Sequence, residues 1–465
     1  MNFFSLEFSV LLLIFLGVYW YFKRNIFIQN FLILFFNYFI LIGFFNKPYF
    51  ALIIFLYSIF IYCAAFFIAE HKTRFMLLSV IFFAILNLAF FKYFPMIKSE
   101  FDEFLVFFGF SIDIDFIFPL GLSFYTFASI TYLVEVYRGG RLATFKEVAI
   151  YLSFFPTIVS GPIMRSVFFF KQLRKKRIFE HGDLIFILLL SAIVKKILIA
   201  NHLGIWTNQV FENPSAYDTA SLILSVFCYS LQLYCDFSGY VDLVIAFGLM
   251  MGFTIPLNFN KPYSARNIQE FWNRWHITLS HFIRDFVYIP LGGNRNGVFA
   301  TYFNILIAFI LSGIWHVNTQ DGTMDNSLNF VVWGALHGIG VCVIHFFKHQ
   351  QINIGLPYPV AMLITFCYVS FCWIFFFMPS FDKSIDFILA MVDFSLPMST
   401  SALWGIFGIF ILVLVYPLTK NLQTHLEHIF SLLPFISKPI ILVLILLIVF
   451  ASMPDGIPNF IYSRF

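Results

Sequence analysis

The sequence reads as an all-α, polytopic transmembrane protein of about twelve spans, and three features carry that reading. Of its 465 residues, 61% are hydrophobic and only 11% are charged, a balance outside the range of soluble domains. Apolar runs of about 20 residues, the length that a helix needs to cross a bilayer, recur from one end to the other. Between them, clusters of Lys and Arg alternate with acidic or neutral loops, as the orientation of membrane helices demands. The net charge of +4 is thus an orientation signal and no argument for nucleic-acid binding. Cys63, Cys228, Cys235, Cys342, Cys367 and Cys372 lie scattered in apolar segments without paired or metal-ligand spacing and read as small core residues.

Taken in order, the run 6–22 lacks a basic leader and a small-residue cleavage site, so it is expected as a retained first span. Lys23 and Arg24 follow it and mark the cytoplasmic side, which puts the N-terminus outside. Spans near 26–45, 50–69 and 76–94 come next, the last two divided by His71, Lys72 and Arg74. Glu100, Asp102 and Glu103 fit an outer loop, and a span near 118–136 returns to Arg138, Arg141 and Lys146 inside. Residues 149–164 have basic loops on both sides, so parity makes them re-entrant or interfacial, and Pro156, Gly161 and Pro162 supply the breaks. Spans near 183–202 and 218–234 and a short apolar piece, 241–255, lead to a basic central stretch on the cytoplasmic side. Five more spans, near 298–315, 328–347, 358–378, 402–418 and 437–453, leave the tail 454–465 outside. No internal repeat and no soluble domain is evident.

The central stretch, 258–295, reads NFNKPYSARNIQEFWNRWHITLSHFIRDFVYIPLGGNR and gathers Arg266, Arg274, Arg284, Arg295, His276 and His281. At helical spacing, His276 shares a face with Trp272 and Ser280, while Arg274 and His281 occupy another. That pattern suits an amphipathic anchor at the interface as well as it suits a site. His316, in SGIWHV, ends one apolar span and His337, in WGALHG, lies in the middle of the next. An imidazole inside a membrane is costly and is a functional candidate, with a hydrogen-bonded packing histidine as the alternative. Histidine is also the side chain suited to take a proton from a hydroxyl or thiol near neutral pH. In YCDFSGYVD, Asp236 followed by Ser238 and Gly239 reads first as a turn or helix N-cap. HExxH, P-loop, paired-Cys and GxSxG patterns are missing, so neither a metal site nor a self-contained serine hydrolase is indicated.

PLGLSFYTFASITY (119–132), FFPTIVSGPIMR (154–165), YCDFSGYVD (234–242), the central stretch, GIWH and WGALHG together closely resemble the membrane-bound O-acyltransferases. The nearest branch is the bacterial polysaccharide acetylation proteins, the peptidoglycan and alginate O-acetyltransferases, with the D-alanyl transferase subunit more distant. The resemblance implies spans and re-entrant helices around a central tunnel. It divides the chain into N-terminal helices (1–118), a catalytic core (119–338) and C-terminal helices with a terminal tyrosine motif (339–465). It implies that His316 is the essential histidine, that His276 is the usual second polar position, and that His337 is a further recurrent histidine. Relatives commonly carry Gly after the essential histidine; here Val317 and a polar insertion to Asn326 follow. At the end of the chain, Phe460, Tyr462 and Phe465 resemble the terminal tyrosine motif of this branch, which would make Tyr462 an acyl carrier. On its residues alone, that tyrosine is an interfacial belt residue.

The activity implied is transfer of acetyl from cytoplasmic acetyl-CoA across the inner membrane, through Tyr462, to a periplasmic partner of the SGNH type that acetylates glycan. A basic mouth of Arg266, Arg274 and Arg284 would attract the coenzyme's phosphates, His316 would be the general base, and no metal is called for. A composition rich in Phe, Ile and Asn fits an AT-rich genome and favours peptidoglycan as acceptor over an exopolysaccharide such as alginate. A transporter or lipid-carrier flippase would share the span count, but such proteins usually show internal repeats and charges at mid-membrane.

Overall fold

The computed structural model describes residues 3–44, 48–108, 118–317, 325–352, 355–434 and 436–452. Among them every regular element is helical, and the protein is a multi-pass membrane protein. Eight helices are long and apolar enough to cross a membrane: Ile26–Gly43, Pro48–His71, Arg74–Phe107, Thr219–Met250, Val298–His316, Ser327–His349, Tyr358–Phe377 and Thr400–Thr419. Two shorter apolar helices, Leu6–Tyr21 and Ser437–Val449, stand where the first and last spans are expected. The remaining two expected spans are a helix of 16 residues, Leu122–Tyr137, and a composite one. In the latter, Gly182–Ile193 passes through a π-helical stretch, Val194–Ala200, into Asn201–Glu212.

The described residues form two compact units, 3–185 with Val244–Pro256, and Phe186–Leu243 with those from Leu257 onward. In the first unit, polar side chains replace the hydrogen bonds that irregular backbone forfeits. Thr144 and Glu147 form a capping box that starts the helix Phe145–Ser153. The helix ends there because Pro156 cannot continue it, and only a single turn, Phe155–Ile158, follows. Asn37, fully buried, accepts from the backbone N–H of Phe155 at 3.1 Å and donates to Ser153 at 3.1 Å. The break expected between 149 and 164 is therefore built in, with its freed amide satisfied by protein. Tyr19 and Trp20 donate to the carbonyls of Met251 and Met250, both at 2.9 Å, and close the end of the long helix Thr219–Met250.

That helix overturns two readings of the sequence. It runs unbroken through Ser238 and Gly239, so there is no separate piece at 241–255 and Asp236 caps nothing. Asp236 instead pairs with Lys196, both almost fully buried, and Asp242 takes Lys195 and Ser191, each at 2.7 Å. Gly239 is there for packing: a Cβ on it would lie 3.1 Å from that of Lys195. Where no water competes for backbone groups, a Ser-Gly pair has nothing to gain from leaving the helix.

Candidate active site

In the second unit, the helices Val298–His316 and Ser327–His349 pack backbone to backbone. A Cβ on Gly313 would stand 2.1 Å from the carbonyl oxygen of Phe330, and one on Gly334 would stand 2.5 Å from that of Phe309. Small residues at such crossings let membrane helices touch along their main chains. His316, the last residue of its helix, is 2% exposed and lies among Trp315, Trp333 and Phe376, with ring centroids 4.5, 5.1 and 5.4 Å away. Its Nδ1 is 2.7 Å from the carbonyl oxygen of Ser312. A carbonyl only accepts, so Nδ1 carries the proton of the neutral ring and Nε2 carries the lone pair.

His337 has the opposite tautomer. The indole N–H of Trp272 donates to its Nδ1 at 3.3 Å, which leaves the proton on Nε2, a fully buried atom with no hydrogen-bond partner among the described residues. Of the two histidines, His316 presents a base and His337 a donor.

The expected single helix through His276 is absent. The chain makes two short helices, Ile268–Trp272 and Ile277–Ile283, and His276 stands between them in the left-handed region at φ 42°. The cause is Asn258, fully buried, which gathers the far side of the turn. Its side-chain oxygen accepts from the N–H and hydroxyl of Thr278 at 3.1 and 2.6 Å, and its carbonyl accepts from the N–H of Ile277 at 3.0 Å. His276 thus leaves the face of Trp272 and Ser280, is 1% exposed, and meets Phe237 edge-on at 5.0 Å. Burial holds its pKa down to about 3, so it is neutral at physiological pH. Ring contacts continue from its neighbour Trp275 through Trp373 and Trp333 to His316.

A cavity of about 240 Å³ lies nearby, and His276, His316 and His337 are not among its lining residues. Its wall includes Trp272 and Ser312, the residues that hold His337 and His316, together with Gln269, Asn273, His281, Arg284 and His345. Of the three arginines expected at a coenzyme mouth, only Arg284 borders the cavity, and it is bonded to Asp285 at 2.7 Å. Arg274 is bonded to Glu270 at 2.7 Å and to Ser264 at 3.2 Å, a structural engagement within its own loop. Arg266 is exposed, 3.9 Å from the same Glu270, and lies over the ring of Tyr358. Tyr462 and residues 318–324 of the insertion after Val317 lie outside the described residues. Gln269, Asn273 and His345 escaped the sequence reading because no motif spacing joins them; they meet only when two helices close on one space.

The sequence model of the membrane-bound O-acyltransferase family matches residues 138–351, a stretch that contains His276, His316 and His337. Those residues resemble that family. Among curated relatives, the chain is 31% identical to a peptidoglycan O-acetyltransferase of Helicobacter pylori, over 66% of this chain and 62% of the relative. It is 35% identical to the probable alginate O-acetylase AlgI of Pseudomonas aeruginosa, over 62% of this chain and 55% of the relative. A teichoic acid D-alanyltransferase of Bacillus subtilis is 28% identical over 54% of this chain and 67% of the relative. The chain thus spans between half and two thirds of the length of the first two. The family's chemistry, acyl transfer to oxygen, needs a base beside the accepting hydroxyl and room for an acyl donor. A lone pair on His316 and a cavity that reaches Ser312 fit both needs.

Proposed function

We propose that this chain is an O-acetyltransferase of the bacterial inner membrane. It takes acetyl from cytoplasmic acetyl-CoA and delivers it through Tyr462 to a periplasmic SGNH-type partner, which acetylates peptidoglycan. The observation that carries the reading is the tautomer of His316: its Nδ1–H is committed to Ser312, which leaves Nε2 basic in a water-poor aromatic enclosure. In the transfer step, Nε2 takes the proton of the attacking hydroxyl as its oxygen bonds to the thioester carbonyl. The C–S bond then breaks and the proton passes to the departing thiolate. A low-dielectric surround strengthens each hydrogen bond made to the developing charge. The donor's phosphates would be met by Arg284, and the amides of its arm by Gln269 and Asn273 along the cavity. His276, neutral and held by its turn, would act as a positioning group.

The test is acetyl transfer by the purified protein from labelled acetyl-CoA, with His316→Ala beside it. Release of coenzyme by the wild type alone supports the reading, and equal release by both would overturn it. An exopolysaccharide acceptor is the second reading, favoured by the 35% identity to the alginate relative. Supplying peptidoglycan and alginate to the complete acetylation system separates the two.

A further inference from the structure

The first unit contains a cavity of about 410 Å³ that the acyl-transfer reading does not use. Four of its nine lining residues are cationic, Arg141, Lys171, Arg174 and Lys175, and one, Glu135, is acidic. The helix Ser166–Leu173 and the turn after it supply most of the wall, because positions 166, 167, 170, 171, 174 and 175 fall on one helical face. Tyr132 and Phe170, both buried and edge-on at 5.5 Å, form its floor. Arg174 is fixed by two bonds to Glu147, at 2.6 and 3.0 Å, and is neutralised there. Arg141, Lys171 and Lys175 are exposed and have no carboxylate partner among the described residues. Orientation alone asks for cations near a span end; it does not ask that they ring a concave space with an aromatic floor.

We propose that this cavity is a binding site for a phosphate-bearing headgroup, with an anionic phospholipid such as phosphatidylglycerol as its occupant. The chemistry follows from the lining. Three unbridged cations against the one carboxylate of Glu135 leave the lining net positive, which complements a phosphodiester, whereas a zwitterionic headgroup would bring its own cation into a positive ring. The aromatic floor takes the glycerol and first methylenes of a lipid, and a free anion has no use for it. Each exposed ion pair contributes up to about a factor of five to binding, so three together are worth several-fold to about a hundredfold.

The experiment measures binding of fluorescently labelled phosphatidylglycerol to the full-length protein in neutral detergent. Arg141→Gln/Lys171→Gln/Lys175→Gln is expected to weaken it by several-fold to about a hundredfold. A control that removes three cations elsewhere, Lys23→Gln/Arg24→Gln/Arg74→Gln, is expected to leave it unchanged. Lys171→Arg/Lys175→Arg should bind as the wild type does, which separates charge from damage to the fold. Competition by glycerol 3-phosphate as strong as that by unlabelled phosphatidylglycerol would keep the phosphate site and make its source a free phosphate. Equal loss in the pocket and control variants, or equal binding of phosphatidylcholine, would overturn the proposal.

Discussion

At the scale of the residue, which nitrogen holds the proton decides what each histidine does. His316→Ala is expected to cut acetyl transfer by about a hundredfold to ten-thousandfold, read as labelled acetyl reaching acceptor, with the variant still eluting as a folded species. His276 gives a different signature. Its folded pKa is depressed to about 3, so the neutral form is favoured in the native state. Its contribution to stability is complete above the ordinary histidine value near 6.5 and is lost as pH falls from there toward 3. Wild type should therefore lose more melting temperature between pH 7 and pH 4 than His276→Gln does; parallel losses would refute the assignment. The sequence pointed to His316 and His337, since a polar ring in an apolar run is conspicuous. It held no sign of their tautomers, because those are set by a carbonyl one turn back and by an indole 65 residues away. Nor did it foretell the left-handed turn at His276, which depends on an asparagine 20 positions from Thr278.

At the scale of the element, close approach governs. Gly313→Val would drive a side chain into the Phe330 carbonyl, part the two helices and abolish transfer together with thermal stability. Gly17→Ala, where nothing lies within 4 Å, should be neutral and serves as its control. Asp236→Asn leaves Lys196 with a lost counter-charge in a buried place, at a cost of about 3 to 5 kcal/mol. The double change Lys196→Met/Asp236→Leu should recover most of the lost melting temperature, because two apolar groups of similar volume replace the pair. Most helices were legible from length and apolar content. Those that were misjudged have physical reasons: Gly239 looks like a turn former in sequence and is a packing contact in space. Asp236, expected as a turn or cap residue, is instead one half of an ion pair whose other half, Lys196, lies 40 residues away in a separate apolar run.

At the scale of the whole molecule, the proposed reaction needs one end in each compartment. Parity of the expected spans puts the tail outside, and Tyr462 rests on that count together with the FxYxxF ending. Tyr462→Phe keeps the ring and removes the oxygen that must carry acetyl. It should stop delivery to glycan while the protein still accumulates in the membrane. Without the periplasmic partner, the wild type should hold acetyl on its C-terminal peptide, detectable by mass spectrometry. Normal glycan acetylation by the variant, or labelling that finds the tail in the cytoplasm, would sink the carrier. For orientation the sequence offers an expectation, because cations follow a simple rule along the chain. For the cavity it offers none, since the wall joins separate segments between 269 and 345 that no sequence spacing relates.

Trp272 borders the cavity with its ring and holds His337 with its N–H, which makes it a built-in optical probe. A donor entering that space must touch the indole, and any turn of the indole changes the hydrogen bond on which its emission depends. Titration of the protein with coenzyme should therefore shift tryptophan fluorescence, and the shift should vanish in Trp272→Phe while the other tryptophans remain. The same substitution lets the His337 ring exchange its tautomers, so that nuclear resonance from its two nitrogens, distinct in the wild type, would average.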